Sequence, residues 1–442
     1  MDRTSIERIL RIAGTIAVLV CGTVLLIVIL PLAGIISYDI MLPSIIMDIL
    51  IGLFVIVTMI LSFSMILCVT SRTSRRPRGR QSHLALNAFV ILFLIAAPFF
   101  SVTISSAYQE PNTYVPLASF DQTRWTHFNS TAWGQIQGTV WNELNYIWGD
   151  KPKIVSLNPQ IIEQTHLQGY TRIKIQINVE NSGITQWDIM PFYLLVPDSP
   201  RANPCPTVIV FHQHNGRFEF GKDEPCGIAG DPRQAFGVDL AERGYIVACP
   251  DALCFGERQV SFGEKYTGML MFMLNRTLNF KYIWDISRLV DYLSTRSDVN
   301  ASRIGIIGHS LGGQMAVWCA VYDPRIKVVL SNCGIGKLNG TDSIIEEGSF
   351  QNYAFYIPGI VKLNLRMEEI IGLIGNRSIF LSAGTEDMGL PINGVAEIHN
   401  WLQEKYAYYG HSGNIVTLRF VAKHMLPADV KSKMYDFLDQ QL

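Results

Sequence analysis

The sequence predicts an α/β protein with a doubly wound, mostly parallel sheet, preceded by three transmembrane α-helices. Three observations lead there. From residue 168 onward, short β-branched runs alternate with helical stretches. The first quarter holds three long uncharged apolar runs. A glycine-flanked serine, Gly308-His309-Ser310-Leu311-Gly312-Gly313, stands where one strand ends and a helix begins.

The apolar runs cover residues 12–36, 49–69 and 84–104, and each is long enough to cross a bilayer at ~1.5 Å per residue. The third contains Pro98, which a membrane helix accepts when neighbouring groups satisfy the freed carbonyl. A cleaved signal peptide does not fit the first run, which is too long and is followed by two more. The mean hydropathy of +0.22 agrees with membrane segments.

Orientation follows from the arginines. Arg3, Arg8 and Arg11 precede the first run, and Arg72, Arg75, Arg76, Arg78 and Arg80 follow the second, whereas the connection at 37–48 has no basic residue. Basic loops stay cytoplasmic, so the N-terminus is expected inside and everything beyond about residue 108 outside. Five N-x-[ST] sequons, at Asn129, Asn275, Asn300, Asn339 and Asn376, fall on that outer side. The formal net charge of -1 argues against a nucleic-acid partner.

Residues 1–107 therefore read as an anchor, 108–167 as an aromatic and polar connector, and 168–442 as the catalytic domain. The connector carries Trp125, Trp133, Trp141 and Trp148 without a clear period.

In the domain, TRIKIQINV (171–179) and IMPFYLLVP (189–197) alternate like antiparallel strands. PTVIVF (206–211), GYIVACP (244–250), SRIGIIG (302–308), IKVVLSN (326–332), RSIFLSA (377–383) and VTLRFVA (416–422) suit buried parallel strands. Helices are expected over 232–244, 280–296, 312–323, 394–410 and 427–440. That alternation calls for right-handed crossovers around one sheet.

The motif at 308–313 is where chemistry is expected. A G-x-S-x-G string at a strand-to-helix junction forms a nucleophile elbow, and the helix N-terminus behind Ser310 favours negative charge. A serine nucleophile needs a base, and the base an orienting acid, in the chain order Ser, Asp or Glu, His. Only His399, His411 and His424 follow the serine. His424 lies just past the strand 416–422, at the carboxyl end where sites collect, and is the expected base. Asp387, after the strand 377–383, is the expected acid, with its neighbour Glu386 as the alternative.

Oxyanion donors are expected from the backbone N–H of Leu311 and from the turn His212-Gln213-His214-Asn215-Gly216, through either Gln213 or His214. His212 and His214 could instead ligate a metal, but no third ligand stands at a fitting spacing. No metal or other cofactor is expected. Asp251, Glu257 and Arg258 read as rim residues, with a Glu257–Arg258 ion pair shaping the loop. Of eight cysteines, the six beyond residue 200 are expected as buried thiols, with Cys205–Cys226 as a possible bridge.

FHQHNGRFEFGK (211–222), LAERGYIVACPDALCFGER (240–258) and the long segment 284–313 resemble the dienelactone hydrolase and acetyl-xylan-esterase-like branch of the α/β-hydrolases. The resemblance spans roughly 168–442. It implies the α/β-hydrolase fold, Ser310, Asp387 and His424 as the triad, and ester hydrolysis. In dienelactone hydrolases proper the nucleophile is a cysteine, so Ser310 implies a different ester, of a small molecule or a glycan. Two other classes are consistent with the same motifs: a prolyl-oligopeptidase-like peptidase, and a silent hydrolase fold used for binding.

Overall fold

Strands dense in Val, Ile and Leu become stable when both faces are covered, and that burial organises the chain. The computed structural model describes residues 127–345, 357–360, 362–363 and 365–442, all within one unit spanning 118–442. The three expected membrane spans lie outside the described residues. Among the described residues no helix is long and apolar enough to cross a membrane.

The described chain begins with α1 (Ser130–Trp148), β1 (Gln160–Leu167), β2 (Tyr170–Asn178), α2 (Thr185–Asp188), β3 (Ile189–Pro197) and β4 (Cys205–Phe211). It continues with α3 (Phe236–Glu242), β5 (Ile246–Pro250), α4 (Gly263–Met273), α5 (Leu278–Ser294), β6 (Val299–His309) and α6 (Leu311–Tyr322). It ends with β7 (Ile326–Asn332), α7 (Met367–Gly372), β8 (Ser378–Gly384), α8 (Ile392–Tyr408), β9 (Ile415–Phe420) and α9 (Ala428–Gln441).

Nine strands form one sheet in the order β1-β2-β3-β5-β4-β6-β7-β8-β9. The first three pair antiparallel, as does β3 with β5, and every pair from β5 onward is parallel. Strands β4, β5 and β8 are buried along their whole length, whereas the edge strand β1 is largely exposed and the other edge strand, β9, is half-buried. Helices α3 and α9 supply the apolar cluster on one side of the sheet. Helices α1, α5, α6, α7 and α8 supply the larger cluster on the other. This is the doubly wound architecture expected from the alternation.

The connector read at 108–167 holds two elements that the sequence pattern does not reveal. Helix α1 is N-capped by Asn129, whose side chain accepts from Ala132 N. It buries Trp133, Val140, Leu144, Ile147 and Trp148, an i, i+7, i+11, i+14, i+15 spacing that puts them on one face. Trp148 stacks on Phe280 at 5.5 Å and donates to Asn279 at 3.1 Å. Exposed Tyr146 and interspersed polar residues mask that period in the sequence. Strand β1 then pairs with β2 through a bulge between Ile161 and Glu163, which breaks its alternation.

The six described cysteines are buried thiols, and Cys205 is not joined to Cys226. The expected Glu257–Arg258 pair is also replaced. Glu257 reaches Lys222 and Lys174, while Arg258 turns inward to Asp285 at 2.7 Å and to the carbonyls of Gln186, Trp187 and Asp251. Neighbours in sequence on a 3-10 turn point apart, so each finds a partner across the fold. Asp251 is fully buried and accepts from Lys222 Nζ at 2.9 Å and from the N–H groups of Lys222 and Glu257. Burial raises the Asp251 pKa against the pull of Lys222.

Candidate active site

The carboxyl ends of β6, β8 and β9 converge on one edge of the sheet, and each carries one of the three expected side chains. Strand β6 runs into α6 without a loop. Ser310 sits at the junction with φ 56° and ψ −122°, a strained conformation outside the ordinary regions for a side-chain-bearing residue. What over-determines it is the packing on either side. Helix α6 is buried along nearly all its length. A Cβ on Gly312 would fall 2.1 Å from the carbonyl oxygen of Phe211, and one on Gly308 would fall 2.3 Å from the carbonyl carbon of Gly312. Only hydrogen at these positions lets β4, β6 and α6 meet. Ser310 N–H donates to Asn332 O at 2.9 Å, tying the elbow to β7.

Asp387 and His424 come from adjacent loops held in register. Thr385 N–H donates to Phe420 O at 2.8 Å, and Glu386 N–H to Ala422 O at 3.0 Å. Gly384 allows the crossing, since a Cβ there would lie 2.4 Å from Ala422 O. The result is a continuous line. Asp387 Oδ2 is 2.7 Å from His424 Nδ1, and His424 Nε2 is 2.8 Å from Ser310 Oγ. Asp387 is buried, and its Oδ1 accepts from Gly389 N–H at 2.9 Å. The alternative acid Glu386 is exposed. Of the other histidines after the serine, His399 is buried in α8, and His411 lies before β9, at the opposite end of that strand from His424. The structure therefore brings together Ser310, His424 and Asp387.

With an imidazole between a carboxylate and a serine hydroxyl, the arrangement can move a proton off the hydroxyl while the carboxylate holds the ring. The loop after β4 passes alongside, because Phe211 and His212 abut Gly312. The N–H groups of Leu311, Gln213 and His214 have no hydrogen-bond partner among the described residues. The side chains of that loop are engaged elsewhere. Gln213 Nε2 donates to Glu224 at 2.9 Å, and His214 Nε2 is 2.8 Å from Glu264 on α4. His212 Nδ1 lies 2.9 Å from Gln213 O, and its Nε2 accepts from Ala252 N–H at 3.1 Å. The rings of His212 and His214 thus fix the loop.

Sequence reasoning passes over Asn332, which joins the elbow to the histidine loop. Its amide Nδ2 donates to Met425 O at 3.1 Å and lies 2.8 Å from His309 Nδ1, and its Oδ1 accepts from Ser382 at 2.7 Å. His309 in turn packs its ring 5.0 Å from that of His424. Cys333, the next residue, lies beside Asp387, and burial together with that carboxylate pushes its thiol up to about 12. The only sequence signal for either residue is position, at the carboxyl end of a parallel strand.

Three histidines are buried as neutral rings. Burial lowers the pKa of His212 to about 4 and those of His309 and His399 to about 3. The unfolded chain binds protons on these rings below the ordinary imidazole value of about 6.5, while the folded chain does so only near the lowered values. Stability is therefore complete above pH 6.5 and falls as pH drops toward the folded values, by up to about 1.4 kcal/mol per pH unit per ring. Chemical-denaturation midpoints are expected to hold steady above pH 7 and fall steeply from 6.5 to 4. His399→Leu should make that slope shallower, and a level profile across this range would refute the assignment.

The geometry can be set beside known proteins. Residues 190–409 match the model of the dienelactone hydrolase family. YtaP of Bacillus subtilis (strain 168), named as a hydrolase, is 30% identical over 256 residues, covering 57% of this chain and 83% of that protein. Among solved structures, a glucuronoyl esterase from Solibacter usitatus aligns with a TM-score of 0.55 at 17% identity, over 71% of this chain and 94% of its own. A Bacteroides fragilis NCTC 9343 protein described as an acetyl xylan esterase aligns at 0.53 and 14% identity, over 71% and 84%. At those identities the two structures speak for the fold.

Proposed function

The chain belongs to the dienelactone hydrolase family, and on that premise we propose that it is a serine hydrolase cleaving a carboxylic ester through an acyl-Ser310 intermediate. The observation that carries the reading is the unbroken line Asp387–His424–Ser310 at 2.7 and 2.8 Å. His424 Nε2 takes the Ser310 Oγ proton as the oxygen attacks the ester carbonyl, and the N–H of Leu311 with that of Gln213 or His214 receives the oxyanion. His424 then protonates the departing alcohol, and water attacks the acyl-serine by the same relay. Asp387 keeps the ring in the tautomer that presents a bare Nε2 to the serine, and stabilises the imidazolium. No cofactor enters the scheme.

The substrate class we propose is an ester of a glycan or small molecule, in keeping with the esterases the fold resembles. The apolar runs at 12–36, 49–69 and 84–104 and the arginines around them support anchoring in a bilayer. On that reading the N-terminus is cytoplasmic and the catalytic unit outside.

One experiment addresses all of this. Intact cells expressing the full chain are exposed to a membrane-impermeant fluorophosphonate, then fractionated by alkaline extraction. Wild type should carry the label in the extraction-resistant membranes, and Ser310→Ala should carry none. Equal labelling of Ser310→Ala removes the nucleophile assignment, whereas label in the extract, or only after lysis, removes the anchor or its orientation.

A further inference from the structure

Cys333 takes no part in the proton relay, yet the fold aims it at the relay. It follows the last residue of β7 with φ 48°, a conformation that side-chain-bearing residues adopt rarely. Its N–H is pinned to Ser382 O at 2.8 Å, so the direction of its Cβ is fixed by the sheet. The Cys333 sulfur, a carboxylate oxygen of Asp387 and a ring nitrogen of His424 all lie within 4.8 Å of one another. Cys333 and Asp387 are buried, while the His424 side chain keeps 37% of its surface, leaving a way in from solvent.

Thiolate, imidazole and carboxylate together form a donor set of mixed softness. Such a set suits Zn²⁺ and its close relatives and does not suit Mg²⁺ or Ca²⁺, which prefer oxygen alone. Two ligands of a tetrahedral zinc, at ~2.0–2.3 Å from the ion, stand roughly 3.3–3.8 Å apart. The three ligand atoms already lie within 4.8 Å of one another, so a bound ion would need the 2.7 Å contact between Asp387 and His424 to open. A water fills the fourth position.

We propose that Cys333, Asp387 and His424 form a binding site for a divalent cation of the zinc class, and that its occupancy switches off the base. Binding proceeds without redox change. The Cys333 proton leaves to solvent, and the cation takes the lone pair of His424 Nδ1. The single proton of the neutral ring then sits on Nε2, so Ser310 Oγ faces an N–H where it needs an acceptor. Two anionic ligands offset the charge of the ion. The switching effect rests on the proposed Ser310–His424 chemistry, whereas the binding itself does not.

The test uses the full-length protein in detergent, stripped of metal with a chelator, and two readouts. Cobalt(II) added to wild type and to Ser310→Ala should give a near-ultraviolet sulfur-to-cobalt absorption that Cys333→Ser lacks and that Zn²⁺ displaces. In ester hydrolysis, with each protein referred to its own metal-free rate, Cys333→Ser should need at least about tenfold more Zn²⁺ for half-inhibition than wild type. Absence of the cobalt band in wild type overturns the site, and equal zinc sensitivity of Cys333→Ser overturns the role of the thiol. Because Ser310→Ala has no serine to activate, its cobalt band decides the site even if the esterase reading fails. Should Cys333→Ser not fold, Cys333→Ala is read in its place, and a band that persists there overturns the site.

Discussion

His424→Ala is expected to lower kcat for ester hydrolysis by about 10⁴–10⁶-fold while leaving KM within a few-fold of wild type. Among the described residues the ring is the one group hydrogen-bonded to both Ser310 Oγ and Asp387 Oδ2, so none of them replaces it as proton carrier. The ring is partly exposed, but its loss leaves the buried Asp387 carboxylate short of its imidazole partner, so a stability cost of about 1–3 kcal/mol accompanies the loss of activity. Unchanged circular dichroism with collapsed turnover is the expected pair of results. Turnover within tenfold of wild type would mean that another group takes the proton.

Gly312→Ala is the second large effect, and it acts through the backbone. An added methyl would sit 2.1 Å from Phe211 O and 3.0 Å from His212 O, main-chain atoms at the end of β4 and the start of the loop after it. No flexible side-chain end is there to yield, so α6 must pull back from β4. The cost expected is about 3–5 kcal/mol, at the upper end for a single substitution. Retreat of α6 also widens the gap between Leu311 and the loop after β4, so any folded fraction should turn over slowly. Thermal unfolding and kcat on the same preparation check both parts. A variant as stable as wild type would show that the contact is softer than the geometry states.

Much of this was legible before any coordinates. The β-branched runs marked six parallel strands, five of them largely buried and the edge strand β9 only half-buried, and the elbow was visible because its tight packing admits so few residue types. His424 could be favoured over His399 and His411 by position relative to one strand. What resisted reading depended on contacts distant in sequence. Helix α1 looked like a connector because its five buried side chains spread over nineteen residues among exposed ones. Glu257 and Arg258 looked like partners because they are adjacent, yet each binds a residue far away in the chain. Asn332 and Cys333 gave no local pattern, since their meaning comes from what β8 and the loop after β9 place against them.

The central strand β4 divides two kinds of labour. On its β6 side lie the three residues of the proton line, on β6 and after β8 and β9. On its β5 side lies the mesh of Lys222, Asp251, Glu257, Lys174 and Arg258, which ties down the loop after β5. No described hydrogen bond or ion pair runs from that mesh to Ser310, Asp387 or His424. Substitutions within that mesh can therefore shift the loop after β5 while every hydrogen bond of the proton line stays in place.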